Sequence, residues 1–243
     1  MGRGMRKQLF LLALLPGFLS ATICGFTPEY YAIQATNERK QTFMEILYPL
    51  IKEAHHRIQK ERAYAIVSLK LKEHFEPKTE DPRLLAIAKK YRIKKTYDLH
   101  DYLVRINNIP ESLVLAQAAA ESGWGNSRFV KEANNLFGEW TWGEKGLVPS
   151  SRESGKKHKI RIFDTLQDSI DSYMLNLNRH YAYAKFRQAR FSTLQEGKAF
   201  KGKDATKHLD NYSGIGHEYH DLLQGIINYN KMCEYSPLGE LLY

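Results

Sequence analysis

Glu121 is the one carboxylate in the stretch Ala116-Gln-Ala-Ala-Ala-Glu-Ser-Gly-Trp-Gly125, and its position suits a proton donor. From Leu113 to Ala120 every residue but Gln117 is apolar, which predicts a helix buried almost all round. Glu121 ends that helix, where the negative helix end and an apolar wall both disfavour ionisation. A carboxyl that keeps its proton near neutral pH can serve as the general acid in glycosidic cleavage. Gly123 and Gly125 let the chain turn away and leave room for a ligand. A glutamate at a helix end is otherwise a solvated surface group, so its neighbours decide between the two.

Those neighbours are aromatic. All three tryptophans of the chain, Trp124, Trp140 and Trp142, fall within nineteen residues. Together with Asn134 and Asn135 they suggest sugar platforms flanked by amides that read hydroxyls and acetamides. A local hydrophobic mini-core is the alternative. Lys156, Lys157, His158, Lys159 and Arg161 form a basic flank suited to carboxylates of a polymer, or simply a solvated edge. His208, His217 and His220 follow no metal-binding spacing, so no metal and no cofactor is assigned.

The elements that must position these groups read as mainly α. Phe43, Leu47, Leu50, Ile51, Ala54 and Ile58 recur at helical spacing within 37–74, as one or two helices. Asp81 and Pro82 open a helix to Tyr91. A further helix spans Tyr97 to Asn107. Pro110 opens the Glu121 helix as a first-turn proline, with Glu111 favouring its positive end. Residues 138–163 are punctuated by Gly, Pro and Ser and predict a hairpin excursion. Helices follow over 164–180, 182–191 and 204–210, then a loop at 211–216 and a final helix at 218–231.

The chain has 243 residues, 43% of them hydrophobic, enough for one sizeable core. Residues 1–25 form a signal peptide: basic Arg3, Arg6 and Lys7, an apolar run from Leu9 to Leu19, then small Ser20, Ala21 and Thr22. The apolar run is about half the roughly 20 residues a spanning helix needs, and an uncleaved anchor is the alternative. Export to the periplasm or cell envelope follows from that leader. Formal net charge is +9, and without the three leader cations the excess is six. A basic exported protein suits an anionic partner, cell-wall polymer, membrane surface or nucleic acid. No arranged basic stripe with stacking aromatics supports nucleic acid. Cys24 and Cys233 are the two cysteines, so the mature chain carries one thiol and no disulfide.

Leu115-Ala-Gln-Ala-Ala-Ala-Glu-Ser-Gly-Trp-Gly125 followed by Asn134-Asn-Leu-Phe-Gly138 resembles the glucosaminidase domain of glycoside hydrolase family 73. That domain is also described as mannosyl-glycoprotein endo-β-N-acetylglucosaminidase-like. Phe163, Ser169-Ile-Asp-Ser-Tyr173 and Asn211-Tyr-Ser-Gly-Ile-Gly216 continue the order. Ser112-Leu-Val-Leu-Ala-Gln117, Asn176-Leu-Asn-Arg-His180 and the helical N-terminal part resemble the Bax protein subgroup of exported bacterial proteins. The core likeness covers about 105–232.

The resemblance implies a lysozyme-like α+β domain over 105–235 with a small β-hairpin lobe, preceded by a helical extension over 26–104. It implies a groove for peptidoglycan glycan strands, and hydrolysis of the β-1,4 bond on the reducing side of N-acetylglucosamine. Glu121 falls on the family's general acid. Glu153, in Ser150-Ser-Arg-Glu-Ser154, matches the second acidic position, although the family's Tyr after it is Ser here. Glu144 and Glu139 are alternatives. Tyr212 carries over as a groove residue beside Trp124, Asn134, Asn135, Phe137, Trp140 and Trp142. Either Glu153 activates water, or the substrate acetamide attacks internally with Tyr212 steadying it. A lytic transglycosylase, a peptidoglycan amidase and a non-catalytic wall-binding module are the competing functions. The helices of 26–104 brace the domain or recruit a protein partner.

Overall fold

The computed structural model describes residues 25–74, 80–149, 155, 157–209, 212 and 217–235. Among the expected features, the leader up to residue 24, Glu153, Lys156 and most of the loop at 211–216 lie outside them.

The chain enters through a short helix, α1 (Pro28–Ala32), capped by the Thr27 hydroxyl. It continues as one long helix, α2 (Thr36–His74), which runs through Pro49 without ending. Its buried stripe is Phe43, Leu47, Ile51, Ala54, Ile58, Ala65 and Leu69, the three-and-four spacing read from sequence. At 1.5 Å per residue α2 is roughly 58 Å long, and it packs on four other helices.

The next helix, α3 (Pro82–Tyr91), starts as predicted, with Asp81 accepting from the backbone N–H of Arg83 and Leu84. The same carboxylate accepts from the hydroxyls of Tyr64 and Ser68, which ties the cap to α2. These donors outweigh desolvation and hold Asp81 below the usual carboxylate range. Helix α4 (Leu99–Arg105) is capped by Asp98 and stops short of the predicted Asn107. It stops because Asn107 and Asn108 are buried in a loop held by tertiary hydrogen bonds.

Helix α5 (Glu111–Ser122) carries Glu121 and is buried over most of its length. Pro110 takes the cap position with extended backbone, not the first turn. Glu111 is not a solvated charge at the helix end: it is buried, 3.2 Å from Lys52 Nζ and 3.6 Å from His55 Nδ1. A helix that the sequence did not suggest, α6 (Arg128–Ala133), follows with Ser127 as its cap.

The excursion holds two short antiparallel strands, β1 (Trp140–Thr141) and β2 (Lys159–Ile160), with Trp140 opposite Ile160. Leu147 adds a bridge to Ile160. Helix α7 (Leu166–Arg179) begins with a reciprocal Thr165–Asp168 capping box, so it opens after Asp164. Three further α-helices follow among the described residues: α8 (Ala184–Gln195), α9 (Gly202–Thr206) and α10 (His217–Tyr229).

The architecture is mainly α with one small hairpin placed after the Glu121 helix, as the sequence predicts. One continuous cluster of buried side chains joins Phe43 and Leu47 of α2, Leu113 and Leu115 of α5, Met174 of α7 and Leu223 of α10. The helices of 26–104 are therefore built into the core that carries Glu121. No described helix is long and apolar enough to cross a membrane.

Candidate active site

Glu121 stands at the C-terminal end of α5, solvent-exposed on one side and walled by tyrosines on the other. The Tyr219 hydroxyl on α10 donates to its Oε1 at 2.7 Å. Gln117, one turn earlier and fully buried, donates from Nε2 to the Tyr219 oxygen at 3.1 Å. Tyr173 of α7 closes the chain by donating to Gln117 Oε1. The four groups form a one-directional relay, each polarising the next, that ends on the carboxylate. Gln117 is the one polar residue between Leu113 and Ala120, and its two amide atoms are both used here.

Tyr212 lies flat against Tyr219, with centroids 5.7 Å apart, and approaches Tyr173 and Tyr183 at 6.3 and 6.2 Å. Phe137 stacks on Tyr173 at 3.9 Å. The wall beside Glu121 is thus made of tyrosines. Loss of hydration there raises the Glu121 pKa above the ordinary carboxylate range, and the Tyr219 hydrogen bond opposes part of that rise. Burial also raises Tyr212 and Tyr183, so their phenols stay protonated and can donate.

The sign of the Tyr219 effect gives a test. A general acid loses activity as pH rises through its pKa. Tyr219→Phe removes a donor to the ionised form, so the Glu121 pKa rises further and the basic limb of the kcat/KM profile moves to higher pH. A profile whose basic limb stays put or moves down would count against Tyr219 tuning Glu121.

The turn after Glu121 is unusual in its backbone. Gly123, Trp124 and Gly125 have φ of 56°, 55° and 74°, three left-handed residues in succession. Ser122 staples this turn: its hydroxyl donates to the Ala118 carbonyl and accepts from Gly125 N–H. From the outside, Tyr30 donates to the Trp124 carbonyl at 2.6 Å and Tyr31 to the Gly125 carbonyl at 3.3 Å. A Cβ on Gly125 would lie 2.9 Å from the Phe26 ring. Gly125→Ala therefore combines a left-handed φ with a collision, and is expected to lower stability by about 1–3 kcal/mol. Denaturant melts of the two proteins measure it, and an unchanged midpoint would contradict the account.

The sequence cluster of tryptophans divides in space. Trp124 packs edge-on to Phe43 of α2, with Lys40 Nζ 5.0 Å from its ring centroid, because the left-handed turn throws its side chain back toward α2. Trp140 and Trp142 stay on the hairpin, 53% and 74% exposed and 6.4 Å apart, with His158 stacked on Trp140 at 4.4 Å. These are the large open aromatic faces near the excursion.

The two asparagines hold the hairpin's root. Asn135 is 1% exposed; its amide donates to the Glu139 and Arg161 carbonyls and its oxygen accepts from Glu139 N–H. Asn134 takes the left-handed cap of α6 and donates to the Phe163 and Asp164 carbonyls. Both amides are spent on backbone, so they place the hairpin and are not open to a sugar.

Of the alternative carboxylates, Glu139 is committed to Arg161 at 2.6 Å and to Ser172 at 2.7 Å. Glu144 is exposed at the hairpin. Glu153 lies outside the described residues, and Tyr212 is the one described residue of its loop. Among the described residues no group of three His, Cys, Asp or Glu side chains gathers as a metal site. Tyr219 and Tyr183 escaped the sequence reading, and Tyr173 entered it only as part of the family order, with no role in the site; the isolated Gln117 in an apolar helix was the one signal that a polar partner was needed.

A family model and a relative in sequence place the chain in a family. A family model described as mannosyl-glycoprotein endo-beta-N-acetylglucosaminidase matches residues 100–232. Protein bax of Escherichia coli (strain K12) is 30% identical over 201 residues, 81% of this chain and 71% of that protein. Peptidoglycan hydrolase FlgJ of Salmonella typhimurium is 28% identical over 123 residues, 41% of this chain and 38% of FlgJ. Among solved structures, the catalytic domain of the autolysin Auto from Listeria monocytogenes aligns with a TM-score of 0.48 at 18% identity. That alignment covers 86% of this chain and 98% of the other. The chain belongs to the glucosaminidase family, a class of glycosidases.

Proposed function

We propose that this protein is an exported peptidoglycan hydrolase, an endo-β-N-acetylglucosaminidase that cuts the β-1,4 bond after N-acetylglucosamine. The observation that carries this is Glu121: an acid with a raised pKa at the open end of a buried helix, oriented by Tyr219. Family membership and relatives named as peptidoglycan hydrolases support the substrate. The basic, apolar and small-residue leader in 1–25 supports export.

Glu121 donates its proton to the glycosidic oxygen as positive charge develops at the sugar ring. The other half of the mechanism has two routes, water activated by Glu153 or internal attack by the substrate acetamide with Tyr212 steadying it. A phenol held protonated suits the second role. Trp140 and Trp142 offer faces on which sugar rings stack, and Phe137 lines the tyrosine wall. Trp124, Asn134 and Asn135 support the site from behind. Analysis of the ends produced from purified peptidoglycan tests the proposal. New reducing N-acetylglucosamine ends are expected; anhydro-sugar ends would make the enzyme a lytic transglycosylase, and free stem peptides an amidase.

A further inference from the structure

Across α7 from the Glu121 relay lies a cavity of about 450 Å³, closed by α2 and α3 on one side and by α7 and the strand leaving β2 on the other. Tyr173 turns inward to Gln117, while Asp168, Asp171, Leu175 and Arg179 line the cavity from the same helix. Most of its charges are already matched. Arg57 meets Asp171 at 2.5 Å, Arg161 meets Glu139 at 2.6 Å, and Lys90 meets Glu61 at 2.7 Å.

Two ends are not. Arg179, half-buried at the last turn of α7, makes no ion pair among the described residues; the charges around it are the cations Arg92 and Arg161 and the carboxylate of Glu139, which is itself paired with Arg161. Asp164, just before α7, also has no ion-pair partner among the described residues. Asp168 stands one turn into the helix, with one carboxylate oxygen accepting from the Thr165 N–H and hydroxyl and no cation paired to it among the described residues. From Asp168 to Arg179 the axis rises roughly 16 Å. The cavity therefore has an acidic end and a cationic end, separated by the span of about five extended residues. A guanidinium without a direct ion pair in a partly dry pocket favours a carboxylate, and bidentate pairing would fix its direction.

We propose that this cavity binds a short zwitterionic peptide, its carboxylate on Arg179 and its ammonium toward Asp164 and Asp168. The volume lies in the range of small-ligand sites. Identification of that peptide as the stem of the wall polymer, whose N-terminus is an amide so that its ammonium is that of a diamino-acid side chain, rests on the proposed function. The N-terminal helices then contribute to substrate choice, since α2 and α3 form one wall of the pocket.

The full chain is titrated with the free stem tetrapeptide, and its hydrolysis is followed on stem-bearing and on amidase-stripped glycan strands. Wild type is expected to bind the tetrapeptide, Arg179→Gln to bind it at least tenfold more weakly, and Arg179→Lys to keep much of the affinity. On stem-bearing strands Arg179→Gln raises KM toward the stripped-strand value and leaves kcat unchanged. No binding by wild type, or equal binding by Arg179→Gln, overturns the proposal. Peptide binding that needs Arg179 without hydrolysis of either strand would sustain the pocket while sinking the proposed activity.

Discussion

Glu121→Gln is expected to lower peptidoglycan hydrolysis by about 10²- to 10⁴-fold, the usual worth of a general acid. The change removes the transferable proton and little else. Glutamine has the same shape, and its oxygen can still accept from Tyr219, so the relay through Gln117 and Tyr173 survives. The carboxylate sits at the exposed end of α5, so the folded state loses no buried contact. Zymography of the paired proteins, with thermal melts to show equal folding, is the measurement. Clearing at the wild-type rate by Glu121→Gln would remove Glu121 as the acid. The contrast with Tyr219→Phe is informative: one variant removes the proton, while the other moves the pH at which it is available.

The largest expected loss of stability is at Arg190. Its side chain is 1% exposed and faces no carboxylate. Its guanidinium donates to the carbonyls of Val104, Arg105, Asn107 and Asn108, and to Asn178 Oδ1, at 2.9 to 3.2 Å. The first two are carbonyls at the end of α4, where a helix leaves acceptors unmatched and carries partial negative charge. Arg190→Met fills similar space but strands several buried acceptors at once. A loss of about 3–5 kcal/mol is expected, comparable to breaking a buried charged network. Denaturant unfolding gives the value, and a loss under about 1 kcal/mol would show that water can replace the guanidinium. Asn178→Leu in the Arg190→Met background should add less than it costs alone, because Arg190→Met already leaves Asn178 Oδ1 without its donor.

Arg190 also shows why parts of the fold were hidden in the sequence. Caps and periodicity are local, so Asp81-Pro82 and the α2 stripe could be read directly. The end of α4 could not, because an arginine more than eighty residues away supplies its acceptors' partners. The partners of Glu111 were hidden for a similar reason. A charge in a first turn is normally solvated, but α2 crosses there and brings Lys52 and His55 to it. Helix α6 is only six residues long and shows too little periodicity to stand out.

The site divides along the same line. Sequence by itself determined Glu121 as the candidate acid, the glycines that let α5 stop there, the mainly α fold and the hairpin that follows. Those features depend on residue type and on short spacing, which survive without knowledge of the rest of the chain. Tertiary structure decided who surrounds Glu121. Tyr173 of α7, Tyr183 in the turn after it, Tyr212 in the loop before α10 and Tyr219 of α10 meet only in the packed fold, where α10 lies against α5. It also turned Trp124 toward α2 and spent Asn134 and Asn135 on the hairpin's backbone, since a buried amide must find partners in its own fold.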